Sequence, residues 1–236
     1  MFIVSKFPSR GRPEKLKSTL HKYVDLADDM SRMIFMITLD SDDPTVSMDL
    51  INSLIAIHPN IQVHMGISGT KVKAINRDME KAPLFDILLL ASDDMIPIVK
   101  GYDTIIRNAM YKYYPTTDGV LWFNDGFQKN GLNTLVIMGN RYYKRFGYIY
   151  NPIYRTAWCD NEFTEVANLL KKQIYFDQVI IQHQHPIHGM APKDETYIKN
   201  DIGGDEDTQI YNIRKKGNFG LNITFKIENP RIKIHK

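Results

Sequence analysis

The chain has 236 residues, of which 43% are hydrophobic and 24% charged. These proportions fit a globular domain with a sizeable core and exclude disordered and collagen-like or fibrous classes. Thirty basic against twenty-seven acidic residues leave a net charge of +3, a balance that neither marks nor excludes a nucleic-acid binder. The single cysteine, Cys159, excludes an internal disulfide and a cysteine-built zinc site, and it fits a reducing compartment. No apolar run approaches the ~18 residues of a membrane span. Lys6 and Arg10 follow the N-terminus too closely for a secretory leader, so the expectation is a soluble, cytoplasmic protein.

The first half alternates strand and helix patterns. Residues 2–5 form a short apolar run and lead into Ser9-Arg10-Gly11-Arg12-Pro13. Pro13 suits a first helical turn, where Glu14 meets the positive end of the helix dipole. Leu16, Leu20, Tyr23, Val24 and Ala27 then recur at helical spacing. Residues 34–39 read as a buried strand ending at Asp40-Ser41-Asp42-Asp43. A second helix carries Leu50, Ile51, Leu54 and Ile55, and residues 61–65 alternate as a strand. Residues 70–81 are expected to form a polar, basic helix. The cleanest strand is 86–91, apolar through Ile87-Leu88-Leu89-Leu90-Ala91 and followed at once by Ser92-Asp93-Asp94.

Such β-α alternation predicts an α/β protein: a mostly parallel central sheet with helices on both faces. Ligands then bind at the carboxyl ends of the strands, where three polar loops fall here: 9–12, 40–43 and 92–94. The second half predicts a helix within 100–114, strands at 119–123 and 134–138, a helix over 161–172 and a last strand over 174–182. Residues 191–219 are polar and contain Gly203-Gly204, so they are expected to form a long mobile loop.

Four constellations could carry chemistry. Asp93-Asp94 offers hard oxygen ligands for Mg²⁺ or Mn²⁺ beside a diphosphate, or else an acidic turn capping the next helix. His183 and His185 alternate onto one face of a strand end and could add imidazole ligands, or form a surface histidine cluster. Asp160 and Asn161 could cap a helix, and Asp160 could also act as a general base. Arg10, Arg12, Lys71, Lys73 and Arg77 could neutralise phosphates; for the last three a solvated helix face is the alternative.

Taken in order, these pieces resemble a GT-A glycosyltransferase, most closely glycosyltransferase family 2. The resemblance runs over about residues 2–188 and rests on Ser9-Arg10-Gly11-Arg12-Pro13, Asp40-Ser41-Asp42, Asn76-Arg77, Ser92-Asp93-Asp94 as the DxD-type motif, Asp160-Asn161-Glu162 and His185. Ser92 stands where the family motif has its first acid, and Cys159 where its base motif has another. The resemblance implies a nucleotide-sugar donor half over 1–120, an acceptor half over 121–190 and a C-terminal lid or tail over 191–236. It assigns donor binding to Ser9, Arg10, Arg12, Asp40, Asp42, Ser92 and Asp93, to which the basic residues Lys73 and Arg77 are added. Asp94, His185 and His183 would hold Mn²⁺ or Mg²⁺. Asp160, with Glu162 as its rival, would be the catalytic base of an inverting transfer.

The acceptor is open at this point: a glycan, a lipid-linked sugar, a protein or a hydroxymethylated DNA base all fit. The alternatives are a nucleotidyltransferase, a metallohydrolase built on His183, His185 and His188, and a non-catalytic binding protein. The lid is expected to bring Arg214 and Lys215 over the diphosphate.

Overall fold

A computed structural model describes residues 1–184 and 204–221. Seven strands build its central sheet: β1 (Ile3–Ser9), β2 (Met33–Asp40), β3 (Ile61–Gly66), β4 (Ile87–Leu90), β6 (Val120–Phe123), β7 (Ile137–Gly139) and β8 (Gln173–Phe176). Their order across the sheet is β3-β2-β1-β4-β7-β6-β8. β7 runs antiparallel to both β4 and β6, and every other pair is parallel. Consequently β6 and β8 point the same way as β1, β2, β3 and β4, and all six end at one edge. A separate ribbon, β5 (Met95–Pro97) with β9 (Ile181–His183), pairs Met95 with His183.

β4 shows why the sheet is buried on both faces. Its side chains alternate, as a pleated strand requires. Ile87 and Leu89 enter one core with α1 (Pro13–Leu26), α2 (Met48–Ile55) and α4 (Tyr102–Tyr113). Leu88 and Leu90 enter the other with α3 (Lys71–Asn76), α5 (Asn140–Phe146), α6 (Cys159–Leu169) and α7 (Gly204–Lys216). An unbroken apolar run is what a strand covered on both sides needs.

The expected α/β architecture is therefore observed, with local differences. The third helix stops at Asn76 rather than reaching residue 81. Asp78 adopts a left-handed φ of 68°, and its carboxylate is drawn into ion pairs with Arg77 and Lys81. The last expected strand splits into β8 and β9, which belong to different sheets. α5 lies in a tyrosine-rich stretch where no helix is expected from the pattern. From Gly204 onward the expected loop is a helix, and the rest of that loop lies outside the described residues, as do His185 and His188. Among the described residues no helix is long and apolar enough to cross a membrane.

Candidate active site

The first loop is shaped by its one glycine. Gly11 takes φ 71°, a conformation that costs glycine nothing, and its N–H donates to Asp43 Oδ2 at 2.6 Å. On either side, Arg10 reaches Asp40 (3.0 Å) and Asp42 (2.6 Å), while Arg12 reaches Asp93 (3.0 Å). Asp40 is buried and is held from its other side by Ser68 Oγ (2.5 Å) and Arg77 (3.3 Å). The ends of β1, β2 and β3 are thus joined through one carboxylate.

The two adjacent acids after β4 face different surroundings. Asp93 accepts from Ser9 Oγ and from Arg12, both at 3.0 Å. Burial and the neighbouring Asp94 charge nevertheless raise its pKa. Asp94 accepts from Ser92 Oγ and lies 3.8 Å from His183 Nε2. Backbone pairing fixes that meeting: Met95 pairs with His183 in the β5–β9 ribbon, and just beyond it the Gln184 N–H donates to the Asp94 carbonyl at 2.7 Å.

On the far side of the imidazole stands Asp125, with Oδ2 3.8 Å from His183 Nδ1. Asp125 is itself held by N–H groups of Phe127 and Gln128 and by Thr134 Oγ1. Burial alone would raise its pKa, but the bonds from His183, Phe127, Thr134 and Gln128 carry it well below the usual carboxylate range. Burial would likewise lower His183, yet Asp125 and Asp94 outweigh it and push that pKa up to about 9. Asp125 is absent from the sequence-level set of candidates. A signal existed: it follows the strand expected at 119–123, and β6 ends at the same edge as β4.

Asp160 lies in the first turn of α6, whose N-cap is Trp158. It is therefore one step inside the helix and not its cap, which corrects that alternative. Lys71 is exposed at the start of α3, and beside it the Val72 N–H donates to the Arg155 carbonyl at 3.1 Å, just before α6. Lys71, like Asp125, is absent from the donor residues that the resemblance assigns. Lys73 is exposed on the same short helix.

Glu162, the rival to Asp160 as base, has a network of its own. It is buried, and its carboxylate accepts from Asn151 (2.8 Å), Tyr154 (2.7 Å) and both arms of Arg214 (2.6 and 2.8 Å). Arg214 and Lys215, the basic residues of the expected lid, pair with Glu162 and Glu165. Asp40, Asp93 and Arg77 are likewise engaged inside the loop framework. Asp42 remains half exposed, with a side-chain exposure of 53%. Among the described residues no three His, Cys, Asp or Glu side chains converge on one point.

Two donors of mixed type, Asp94 oxygen and His183 nitrogen, do converge. Mg²⁺ and Mn²⁺ accept a small protein share of this kind, with phosphate oxygens and water completing the shell. The donor set therefore fits such an ion.

No protein-family model and no curated protein sequence matches the chain. Solved structures do match its fold. The mannosyltransferase PcManGT from Pyrobaculum calidifontis, in complex with GDP-Man and Mn²⁺, superposes with a TM-score of 0.63 at 11% identity, covering 78% of this chain and 57% of that one. S. aureus TarS gives 0.62 at 14% identity, covering 95% and 46%. Glucosyl-3-phosphoglycerate synthase from Mycobacterium tuberculosis, in complex with Mg²⁺ and UDP, gives 0.53 at 9%, covering 86% and 78%. The chain has the GT-A fold. It spans 57% and 46% of the length of the first two structures. In this GT-A chain the loops after β1, β2, β4 and β6 and the start of α6 form the candidate site.

Proposed function

We propose that the protein is a metal-dependent glycosyltransferase that moves a sugar from a nucleoside-diphosphate donor to an acceptor hydroxyl. The observation that carries this reading is the meeting of Asp94 with His183 at the carboxyl edge of a GT-A sheet. Similar folds in complex with GDP-Man and Mn²⁺, or with UDP and Mg²⁺, support it.

Asp94 and His183 would hold Mn²⁺ or Mg²⁺. When bound, such an ion supplies positive charge to the diphosphate as it leaves. Arg10 and Asp42 border the nucleotide side, and Asp40 fixes them in place through Arg10, Ser68 and Arg77. Arg12 and Ser9 hold Asp93, so that Asp94 alone of the pair is turned toward His183. Lys71 adds an exposed cationic side chain at the start of α3, which the Val72 N–H ties to the Arg155 carbonyl ahead of α6.

In the reaction, Asp160 accepts the proton of the acceptor hydroxyl as its oxygen forms a bond to the anomeric carbon. The bond from that carbon to the diphosphate oxygen breaks, and the electron pair leaves with the nucleoside diphosphate. One base and one displacement invert the anomeric carbon. The acceptor is a molecule that offers a hydroxyl to Asp160.

Asp160→Asn tests the chemistry. It keeps size and polarity but removes basicity, so turnover should fall ~10²–10⁴-fold while UDP or GDP affinity stays at the wild-type level. Release of nucleoside diphosphate is the product to follow. Release of pyrophosphate instead would replace this reading with nucleotidyl transfer, and full turnover in Asp160→Asn would remove the base assignment.

A further inference from the structure

The start of α6 is fastened to α7 by a carboxylate with no exposed surface. Asp207, in the first turn of α7, is fully buried. It accepts the backbone N–H groups of Arg155 (2.9 Å), Thr156 (2.8 Å) and Ala157 (2.8 Å). Successive amides aimed at one point form an anion nest, filled here by a side chain of the same molecule. The next residue, Trp158, takes φ 61°, a left-handed conformation that sterics disfavour for a bulky side chain. Its indole Nε1 donates to Thr208 Oγ1 at 2.8 Å, and its ring stacks on Tyr211 at 4.6 Å. Cys159 and Asp160 follow immediately as the first residues of α6.

Uncommon backbone conformations persist where the surroundings over-determine them. At Trp158 the surroundings are α7. Resting on the reading of Asp160 as the base, we propose that Asp207 is a positioning residue: its grip on the amides of 155–157 sets the left-handed turn at Trp158 and thereby aims Asp160. A rotation about that turn would swing the first turn of α6 and carry the Asp160 carboxylate off line. Misplacement by about 1 Å can cost ~10²-fold in rate.

A purely structural Asp207 would lower stability and nothing else, so the test needs a matched control. Asp103 provides it: also fully buried, it accepts N–H groups of Asp28 and Asp29 on the opposite face of the sheet. Asp207→Ala, Asp207→Asn and Asp103→Asn are compared as full chains with Mn²⁺. UDP-glucose, UDP-GlcNAc and GDP-mannose serve as donor probes, with water standing in for the acceptor. Asp207→Ala should lower nucleoside diphosphate release ~10–10²-fold, leave UDP and GDP affinity unchanged, and speed amide exchange across residues 155–160. Asp207→Asn, which keeps one carbonyl oxygen for those amides, should recover most of the loss. Asp103→Asn should lower the melting temperature without moving turnover or that exchange. Unchanged exchange across 155–160 in Asp207→Ala overturns the proposal, as does a rate loss no larger than that of Asp103→Asn at equal fraction folded. Asp160→Asn, measured alongside, separates the two claims. An inactive Asp160→Asn with a fully active Asp207→Ala removes only the positioning role, whereas a fully active Asp160→Asn removes the base itself.

Discussion

Asp93 gives its carboxylate to Ser9 and Arg12, whereas Asp94 turns to His183. Two carboxylates side by side repel, and the fold separates them by giving each a different partner. His183 in turn lies between Asp94 and Asp125, 3.8 Å from each. An ion binding at Nε2 displaces the proton there, and a carboxylate beyond the ligating imidazole keeps the remaining proton on the other ring nitrogen. Asp125→Asn keeps an oxygen for the Phe127 and Gln128 amides but presents an N–H where Oδ2 faced the ring. That favours the tautomer whose proton sits on Nε2, facing Asp94. Mn²⁺ affinity, titrated by electron paramagnetic resonance with and without UDP, should weaken ~10–100-fold with little change in melting temperature. Equal Mn²⁺ affinity in the variant would deny Asp125 this role. Asp125 was legible in part: the rule that ligands gather at strand ends locates it once the strand at 119–123 is recognised, but its contact with His183 depends on the β5–β9 ribbon. A three-residue strand beside Asp94 is too short to announce itself by alternation.

Among the elements, α4 shows how a long-range contact fastens a helix. Asp103, in its first turn, accepts the N–H groups of Asp28 (2.8 Å) and Asp29 (3.0 Å) beyond α1 and pairs with Arg107 one turn later. Burial would raise the Asp103 pKa, but those amides and Arg107 lower it below the ordinary value. A depressed folded-state pKa stabilises the protein fully above the unfolded value of ~3.9. That contribution is lost as pH falls through the folded value. In urea melts, wild-type stability should therefore decline below about pH 4, and Asp103→Asn should show a smaller decline over the same window. Identical acid limbs would mean that Asp103 carries none of it. The helices themselves were readable where a continuous apolar stripe faces a core, as in α1 with Leu16, Leu20 and Tyr23. α7 was not. Its buried contacts are Asp207 and Tyr211, and a helix docked by a carboxylate and an aromatic ring has no apolar stripe to read. The left-handed break at Asp78 was likewise hidden, since it depends on Arg77 and Lys81 closing on its carboxylate.

At the scale of the whole molecule, the GT-A arrangement follows from a simple opposition. Six strands send their ends to one edge, while β7 runs the other way and carries the chain back between β4 and β6. The parallel half was evident from alternating strand and helix patterns; the reversal at β7 was not, because a three-residue buried strand reads alike in either direction. The reversal matters chemically. It makes β6 parallel to β4, and so brings Asp125 to the edge that carries Asp94. The central claim is that this edge binds a nucleoside diphosphate through a divalent ion held by Asp94 and His183. Calorimetric titration of UDP and GDP, in Mn²⁺ and in chelator, tests it most directly. Wild-type protein should bind one of the two nucleotides in Mn²⁺ and lose at least ~10-fold in affinity in chelator, a difference of about 1.4 kcal/mol. Asp94→Ala and His183→Ala should each remove the Mn²⁺ dependence while remaining folded. Equal affinity with and without the ion, or Mn²⁺-dependent binding that survives in both variants, would contradict the account.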